Sequence, residues 1–360
     1  MAGRHNDLTD VAGVRVGHYQ RVGEGWFTGT TVVALPPGAV GGVDVRGGGP
    51  CTRETDALAP GTLVEVVHAV CLSGGSVYGL AAATGVTDWL GERGIGLPVG
   101  LNAGEVAPIV AAAGLYDLRP GAFDCRPDAA FGRSAAEAAA RPGGFGPVAL
   151  GSVGAGAGAR AGGLKGGIGS ASVVLEGDVT VAALVVVNSA GSPVDPATGE
   201  LRAASFLLPG DISGLGDLRR PQASDVAGAA ARLSGVSPRV GNTVLVVVAT
   251  DAEVSQPQCT RLAMAAHDGL ARAVHPAHGL TDGDVVFAVA TRSRPLASPP
   301  PAPSLLHGAG TAHPAALGGL MAAGADAVAR AVVRAVLFAE AVNGVPTYRD
   351  LYPSALTSVH

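Results

Sequence analysis

Three runs of this chain carry almost no polar residue: 179–188 (VTVAALVVVN), 243–250 (TVLVVVAT) and 285–291 (VVFAVAT). They are rich in β-branched and apolar side chains and lack the apolar–polar alternation of a strand with one wet face. Strands of this kind are buried on both faces. A sheet buried on both faces needs a covering layer on each side. Helix candidates at 223–233, 258–274 and 317–342 can supply outer layers. The expected fold is α/β, a four-layer αββα sandwich, with a doubly wound parallel sheet as the competing architecture.

Composition narrows the core and the function class. Hydrophobic residues make up 48% of the 360 positions, but aromatics only 4%, so the core must be built mainly from Ala, Val and Leu. The 55 glycines fall between apolar runs and read as turns and close backbone contacts. Net charge is −5 and no basic stripe is present, which excludes nucleic acid as an expected partner. The four cysteines are scattered without a CxxC pair, so neither a disulfide framework nor a zinc site is expected. The opening MAGRHNDLTD lacks the apolar core of a secretory signal. The apolar stretch 317–342 carries Asp326, Arg330, Arg334 and Glu340, charges that argue against a membrane span. The expectation is a cytoplasmic protein without internal repeats; length alone suggests two domains, though α/β chains of this size can be one, and a single hydrolase domain spanning 1–360 is the expectation.

Elsewhere the reading is coarser. Residues 30–35 (TTVVAL) read as a strand, 134–140 as a helix, and 148–153 as a further strand candidate. Segment 43–56 (VDVRGGGPCTRETD) is a polar, glycine-rich loop that is either a site or a long connection. Residues 72–79 (LSGGSVYG) lead into a helix-like AAATGVTDWL, and 107–118 is a further apolar stretch. Residues 234–239 are turn-rich, and 292–304 read as a Pro-rich surface loop.

Familiar cofactor motifs fail. Gly156-Ala-Gly158-Ala-Arg-Ala161 matches a relaxed dinucleotide fingerprint, but more glycines follow it where a helix N-terminus should bind the pyrophosphate. Lys165 lies between Leu164 and Gly166, which breaks a Walker A loop, and neither G-x-S-x-G nor HExxH occurs. The nine histidines are dispersed. No cofactor and no metal are expected.

The informative site is Gly241-Asn242-Thr243, at the mouth of an apolar run. On these residues alone, Thr243 opens a strand because Thr favours strands. The same residues also permit a specific chemistry. If the Asn242–Thr243 bond is cut, Thr243 gains a free α-amine with a pKa of roughly 7.7–8.0. That amine can act as general base for its own hydroxyl near neutral pH. The expected route is attack of the Thr243 hydroxyl on the Asn242 carbonyl, an N-to-O acyl shift, then ester hydrolysis.

Eight ordered blocks then extend the comparison along nearly the whole chain. They are 8–18 (LTDVAGVRVGH), 43–56 (VDVRGGGPCTRETD), 72–86 (LSGGSVYGLAAATGV), 107–118 (APIVAAAGLYDL), 163–172 (GLKGGIGSAS), 185–191 (VVVNSAG), 241–252 (GNTVLVVVATDA) and 275–291 (HPAHGLTDGDVVFAVAT). With these blocks the chain resembles the DmpA/β-peptidyl aminopeptidase family, and most of all its nylon-oligomer hydrolase (NylC) branch, where the cut is also Asn–Thr. The resemblance implies a fold of the DmpA/ornithine acetyltransferase type, N-terminal-nucleophile-like. It also implies self-processing into an α chain, 1–242, and a β chain, 243–360, which assemble as homo-oligomers of αβ units.

It implies roles as well. Thr243 resembles the nucleophile. Asp282 and Asp284 stand where the family places polar partners of the nucleophile; on a strand their spacing would put both on one face, and their plain alternative is an Asp-Gly turn. Lys165 resembles the family lysine that stabilises an oxyanion or tunes protonation, and could equally be a solvated loop lysine. Asn188 resembles the oxyanion-hole asparagine, or else a strand-end turn former. Tyr116 resembles a substrate-side tyrosine, or is a core residue. Cys51 departs from the glycine expected after Pro50 and puts the backbone of that loop in question.

The function implied is an amidase or aminopeptidase acting on small peptides or amide oligomers through an acyl-Thr intermediate. β-Amino peptides, D-amino amides and nylon-type oligomers all stay open as substrates. The alternatives are an acyl transferase resembling ornithine acetyltransferase, and a non-cleaving small-molecule-binding protein.

Overall fold

The three apolar runs lie side by side in one sheet. The computed structural model describes residues 1–119, 121–234, 241–296 and 314–357. In chain order the strands are β1 (Arg15–Gly23), β2 (Trp26–Ala34), β3 (Val40–Val45), β4 (Thr52–Arg53), β5 (Ala69–Ser73), β6 (Leu97–Pro98), β7 (Val106–Ala107), β8 (Val110–Gly114), β9 (Arg160–Ala161), β10 (Leu164–Lys165), β11 (Gly167–Val174), β12 (Thr180–Asn188), β13 (Thr243–Ala252) and β14 (Val285–Arg294). The helices are α1 (Ser76–Gly79), α2 (Ala82–Gly91), α3 (Ala129–Ala140), α4 (Ala223–Leu233), α5 (Gln256–Ala273), α6 (Pro314–Leu337) and α7 (Tyr348–Leu351).

Two five-stranded sheets stack face to face, one ordered β1-β2-β5-β8-β4 and the other β11-β12-β13-β14-β3. Residues of β12, β13 and β14 divide by parity. Leu184, Val186, Leu245, Val247, Val285 and Phe287 join Val33, Val70, Leu72 and Ala113 between the sheets. Val185, Val187, Val246, Val248 and Val286 point the other way, into the core shared with α5 and α6. On the far side of the first sheet, Val32, Cys71 and Ala112 pack against Ala82, Val86 and Ala135 of α2 and α3. The layers run helices, sheet, sheet, helices, as the missing polar alternation predicted. Each such buried Val or Leu contributes roughly 1.5–3 kcal/mol of apolar transfer.

Small residues let the layers close. A Cβ on Gly169 of β11 would lie 1.8 Å from the Ala331 carbonyl oxygen, so α6 sits against bare backbone there. The competing doubly wound sheet is excluded by topology: within the second sheet β13 pairs parallel only with β14, while β12 and β3 run antiparallel to their neighbours.

Several expectations are corrected. Residues 148–153 form no strand; Gly151 makes an isolated bridge to Ile168 and a 3-10 turn follows at Gly154–Gly156. Helix α6 stops at Leu337 rather than 342, and just beyond it Arg349 Nη2 and Ser152 Oγ donate to the carbonyls of Ala339 and Glu340. Residues 292–294 belong to β14, where Arg294 pairs with Ala252 and faces Asp251 at 3.3 Å. The rest of the Pro-rich segment, 297–304, and most of the turn-rich segment, 235–239, lie outside the described residues. No helix among the described residues is long and apolar enough to cross a membrane.

Candidate active site

The ends of β12 and β3 and the beginnings of β13 and β14 meet at one rim of the second sheet. Thr243 opens β13 opposite Asn188, the last residue of β12. Both are buried. The Thr243 hydroxyl donates to the carbonyl oxygen of Asn242 at 2.5 Å. The Gly283 N–H donates to that same oxygen at 2.8 Å, and Asn242 N–H donates to Thr281 O at 3.2 Å. The peptide bond before Thr243 is therefore gripped by one short loop.

That loop carries the two acids, and of the strand and the Asp-Gly turn left open by the sequence, the strand is not formed. β14 begins only at Val285, and Asp282 sits in an isolated parallel bridge with Asn242. The carboxylates accept from different N–H groups. Asp284 Oδ1 accepts from Val244 N–H at 2.8 Å, the residue after Thr243, while its Oδ2 accepts from His278 N and faces His278 Nδ1 at 2.8 Å. Asp282 accepts from Gly279 N–H at 2.9 Å and Ala190 N–H at 3.4 Å, and burial raises its pKa with the Asp284 charge adding to the rise.

The glycine-rich loop proves to be the wall of the site. Arg46 and Gly47 donate to Asp284 O at 3.0 and 3.2 Å, and Gly49 donates to Asp282 O at 2.8 Å. A Cβ on Gly47 would lie 2.3 Å from Asp282 O and from Asp284 N. Cys51 has no positive φ, so the loop needs no glycine at that position, and its carbonyl accepts from Gly114 N–H at 2.9 Å.

Asn188 is fixed through both ends of its amide. Its Oδ1 accepts from Arg160 N–H at 3.0 Å and its Nδ2 donates to Tyr116 O at 3.2 Å, which occupies one of two N–H bonds. Tyr116 is half-buried and packs on Gly241, whose φ of +86° suits glycine. Lys165 pairs with Arg160 across β9 and β10, one strand pair from Asn188. It is buried, not a solvated loop lysine, and its hydrogen bonds among the described residues run to Gly156 O and Gly166 O, both 2.8 Å, not to Thr243. Burial pulls the Lys165 ammonium down to about 7 against the attraction of Asp117, and pushes the Asp117 carboxyl up to about 7.

The structure thus gathers Thr243, Asn242, Asn188, Asp282, Asp284 and Tyr116, with Lys165 just behind Asn188. Sequence reasoning missed the Gly283 N–H, Asp117 and His278. A backbone donor leaves no residue-type signal, and Asp117 and His278 lay inside quoted blocks without standing out. Among the described residues no group of three or more His, Cys, Asp or Glu is arranged to hold a metal ion. A separate cavity of about 890 Å³ lies between segment 195–220 and α5, and none of the candidate residues lines it.

Comparison with known proteins identifies the family. The profile of peptidase family S58 matches residues 6–349. An uncharacterized aminopeptidase of Mycobacterium tuberculosis (strain ATCC 25618 / H37Rv) is 50% identical over 366 residues, covering 98% of this chain and 100% of the relative. A 6-aminohexanoate-oligomer endohydrolase of Kocuria sp. (strain KY2) is 34% identical over 306 residues, covering 83% and 78%. Among solved structures, the L-aminopeptidase D-Ala-esterase/amidase of Ochrobactrum anthropi, described as a variant of the Ntn hydrolase fold, superposes with a TM-score of 0.68 at 23% identity, covering 96% and 90%.

Proposed function

This chain belongs to peptidase family S58, a family of aminopeptidases and amide hydrolases, and from that premise we propose that it cuts itself between Asn242 and Thr243 and then uses Thr243 as its nucleophile. The observation that carries the reading is the Asn242 carbonyl oxygen, which receives both the Thr243 hydroxyl at 2.5 Å and the Gly283 N–H at 2.8 Å. The hydroxyl is within reach of the carbonyl it would attack, and an N–H already points at the oxygen on which negative charge would develop.

In the proposed first stage Thr243 Oγ1 bonds to the Asn242 carbonyl carbon and loses its proton. The tetrahedral oxyanion collapses with cleavage of the C–N bond, and the proton ends on the departing α-amine. Water then hydrolyses the ester, which frees the Asn242 carboxylate and restores the Thr243 hydroxyl. The products are 1–242 and 243–360.

In the second stage the new α-amine is the general base for the hydroxyl beside it. Substrate acylates Thr243, its amine half leaves, and water releases the acid half. The second Nδ2–H of Asn188 suits the oxyanion of this stage, and Lys165, held at about 7, stands behind it as a proton-tuning cation. Asp284 and Asp282 fix the start of β13 and receive the new ammonium, and Tyr116 borders the substrate. The substrates are small peptides or amide oligomers with a free amino end, the class named for the Kocuria relative included. The mature αβ units assemble as a homo-oligomer in the cytoplasm.

The test is amine release from short amides and 6-aminohexanoate oligomers, with mass mapping of an acyl adduct. Turnover with the adduct on Thr243, both absent from Thr243→Ala, supports the reading; turnover that survives the substitution removes it.

A further inference from the structure

We propose that His278 is a positioning residue that holds the Asp284 carboxylate against the nucleophile strand. The inference rests on the reading of Thr243 as nucleophile and extends it to a residue outside the reacting groups.

The contacts form a single line. Asp284 uses Oδ1 for Val244 N–H at 2.8 Å, the peptide directly after Thr243. Its Oδ2 lies 3.0 Å from His278 N and 2.8 Å from His278 Nδ1. An ionised carboxylate only accepts, so the ring proton sits on Nδ1 and donates to Asp284. The ring is itself braced. It stands edge-on to His267 of α5, with centroids 4.7 Å apart at 77°. His267 is fully buried, its Nε2 lies 3.1 Å from Asp44 O, and burial drives its pKa down to about 4, so it is a neutral wall.

The backbone adds to this. His278 has a φ of +58°, in the left-handed region that few non-glycine residues adopt. That conformation lets one residue offer both its backbone N–H and its ring N–H to the same carboxylate oxygen. With the ring donor gone, Asp284 loses one of its three hydrogen bonds, and only the His278 backbone N–H still holds Oδ2 while Oδ1 accepts from Val244 N–H. Displacement of a reacting group by even 1 Å can cost on the order of 10²-fold in rate. His278 thus acts on Thr243 through Asp284 and Val244, without touching the hydroxyl.

Two substitutions separate positioning from mere packing. His278→Phe keeps a ring against His267 and removes the donor. His278→Asn sets an Nδ2–H near the position of Nδ1–H and tolerates a positive φ. Self-cleavage is followed by intact mass over time, and kcat and KM are measured on the matured chains with a short amide. The Phe variant should slow self-cleavage and lower kcat at least tenfold with KM within about twofold, and the Asn variant should recover to within about threefold of wild type. If the Phe chain does not fold, His278→Ala, which cannot overpack, takes its place. A Phe or Ala variant that cleaves and turns over like wild type overturns the proposal, as does an Asn variant as slow as Phe or Ala. A wild-type chain that never cleaves fails the underlying reading instead, a result distinct from any of these.

Discussion

The N–H of Gly283 donates to the carbonyl oxygen of Asn242 at 2.8 Å, across a parallel bridge between residues 40 positions apart in sequence. This places a backbone donor on the bond proposed to break, before any cleavage. It also explains a glycine between two acids: a Cβ there would lie 2.7 Å from both Gly49 O and the Thr243 hydroxyl oxygen.

Gly283→Ala should therefore separate folding from processing. The added methyl must displace the hydroxyl or the donor, and loss of one oxyanion donor costs about 10²–10³ in rate. Fragment appearance on a denaturing gel should slow by about that factor while circular dichroism stays native. Unaltered cleavage would mean that this N–H does not stabilise the transition state.

Asn188→Ala should spare self-cleavage more than turnover, because the Asn242 oxygen already has Gly283 as donor while the substrate oxyanion depends on Asn188 in this account. A fall of about 10²–10³ in kcat is expected. Single-turnover acylation rates on matured chains check it. Equal losses in both stages would show that Asn188 serves the fold of the rim through Arg160 and Tyr116 instead.

Lys165 predicts an unusual pH dependence of stability. It is the only lysine of the chain, and burial lowers its pKa from 10.5 to about 7. Above about pH 7 the unfolded chain keeps this proton when the folded chain has lost it, so stability should rise with pH. The window from about pH 8 to 9 isolates the effect. Asp117, raised to about 7 by burial, is largely ionised there, and the buried thiols of Cys71 and Cys259 oppose the trend only above their ordinary 9.0. Urea midpoints of wild type should climb across that window, and those of Lys165→Met should stay level.

Arg330 and Asp211 form a bidentate pair at 2.8 and 2.6 Å, with side chains 2% and 0% exposed. Asp211→Ala leaves a buried guanidinium without its carboxylate, and breaking such a pair costs about 3–5 kcal/mol. Chemical denaturation should report a loss of that size, with α6 and the N-terminal segment around Asn6 exchanging amide hydrogens faster. A loss below about 1 kcal/mol would place the pair among weak surface contacts.

What was legible in the sequence follows from where the physics is local. The αββα layering could be read from three apolar runs because burial on both faces removes polar alternation residue by residue. Helix α4 (Ala223–Leu233) matched its expected bounds. The two acids stood out in the sequence, but whether they lay on a strand or in an Asp-Gly turn stayed open, because their side chains take up backbone N–H groups of Val244 and Gly279, and that loop geometry has no periodic signature. The same holds for 148–153, where apolar composition suggested a strand and Gly151 instead turns the chain at a φ of +82°. Gly283 could not be foreseen, since the direction of a backbone N–H is set by the bridge to Asn242 and not by residue type.

The central claim is the cut itself, and intact-mass spectrometry of the purified full chain beside Thr243→Ala tests it most directly. The account predicts two polypeptides in the wild type, 1–242 and 243–360, and one unbroken chain in the variant. A wild-type chain that stays whole through long incubation across pH, or a Thr243→Ala chain that still divides at that bond, would contradict it.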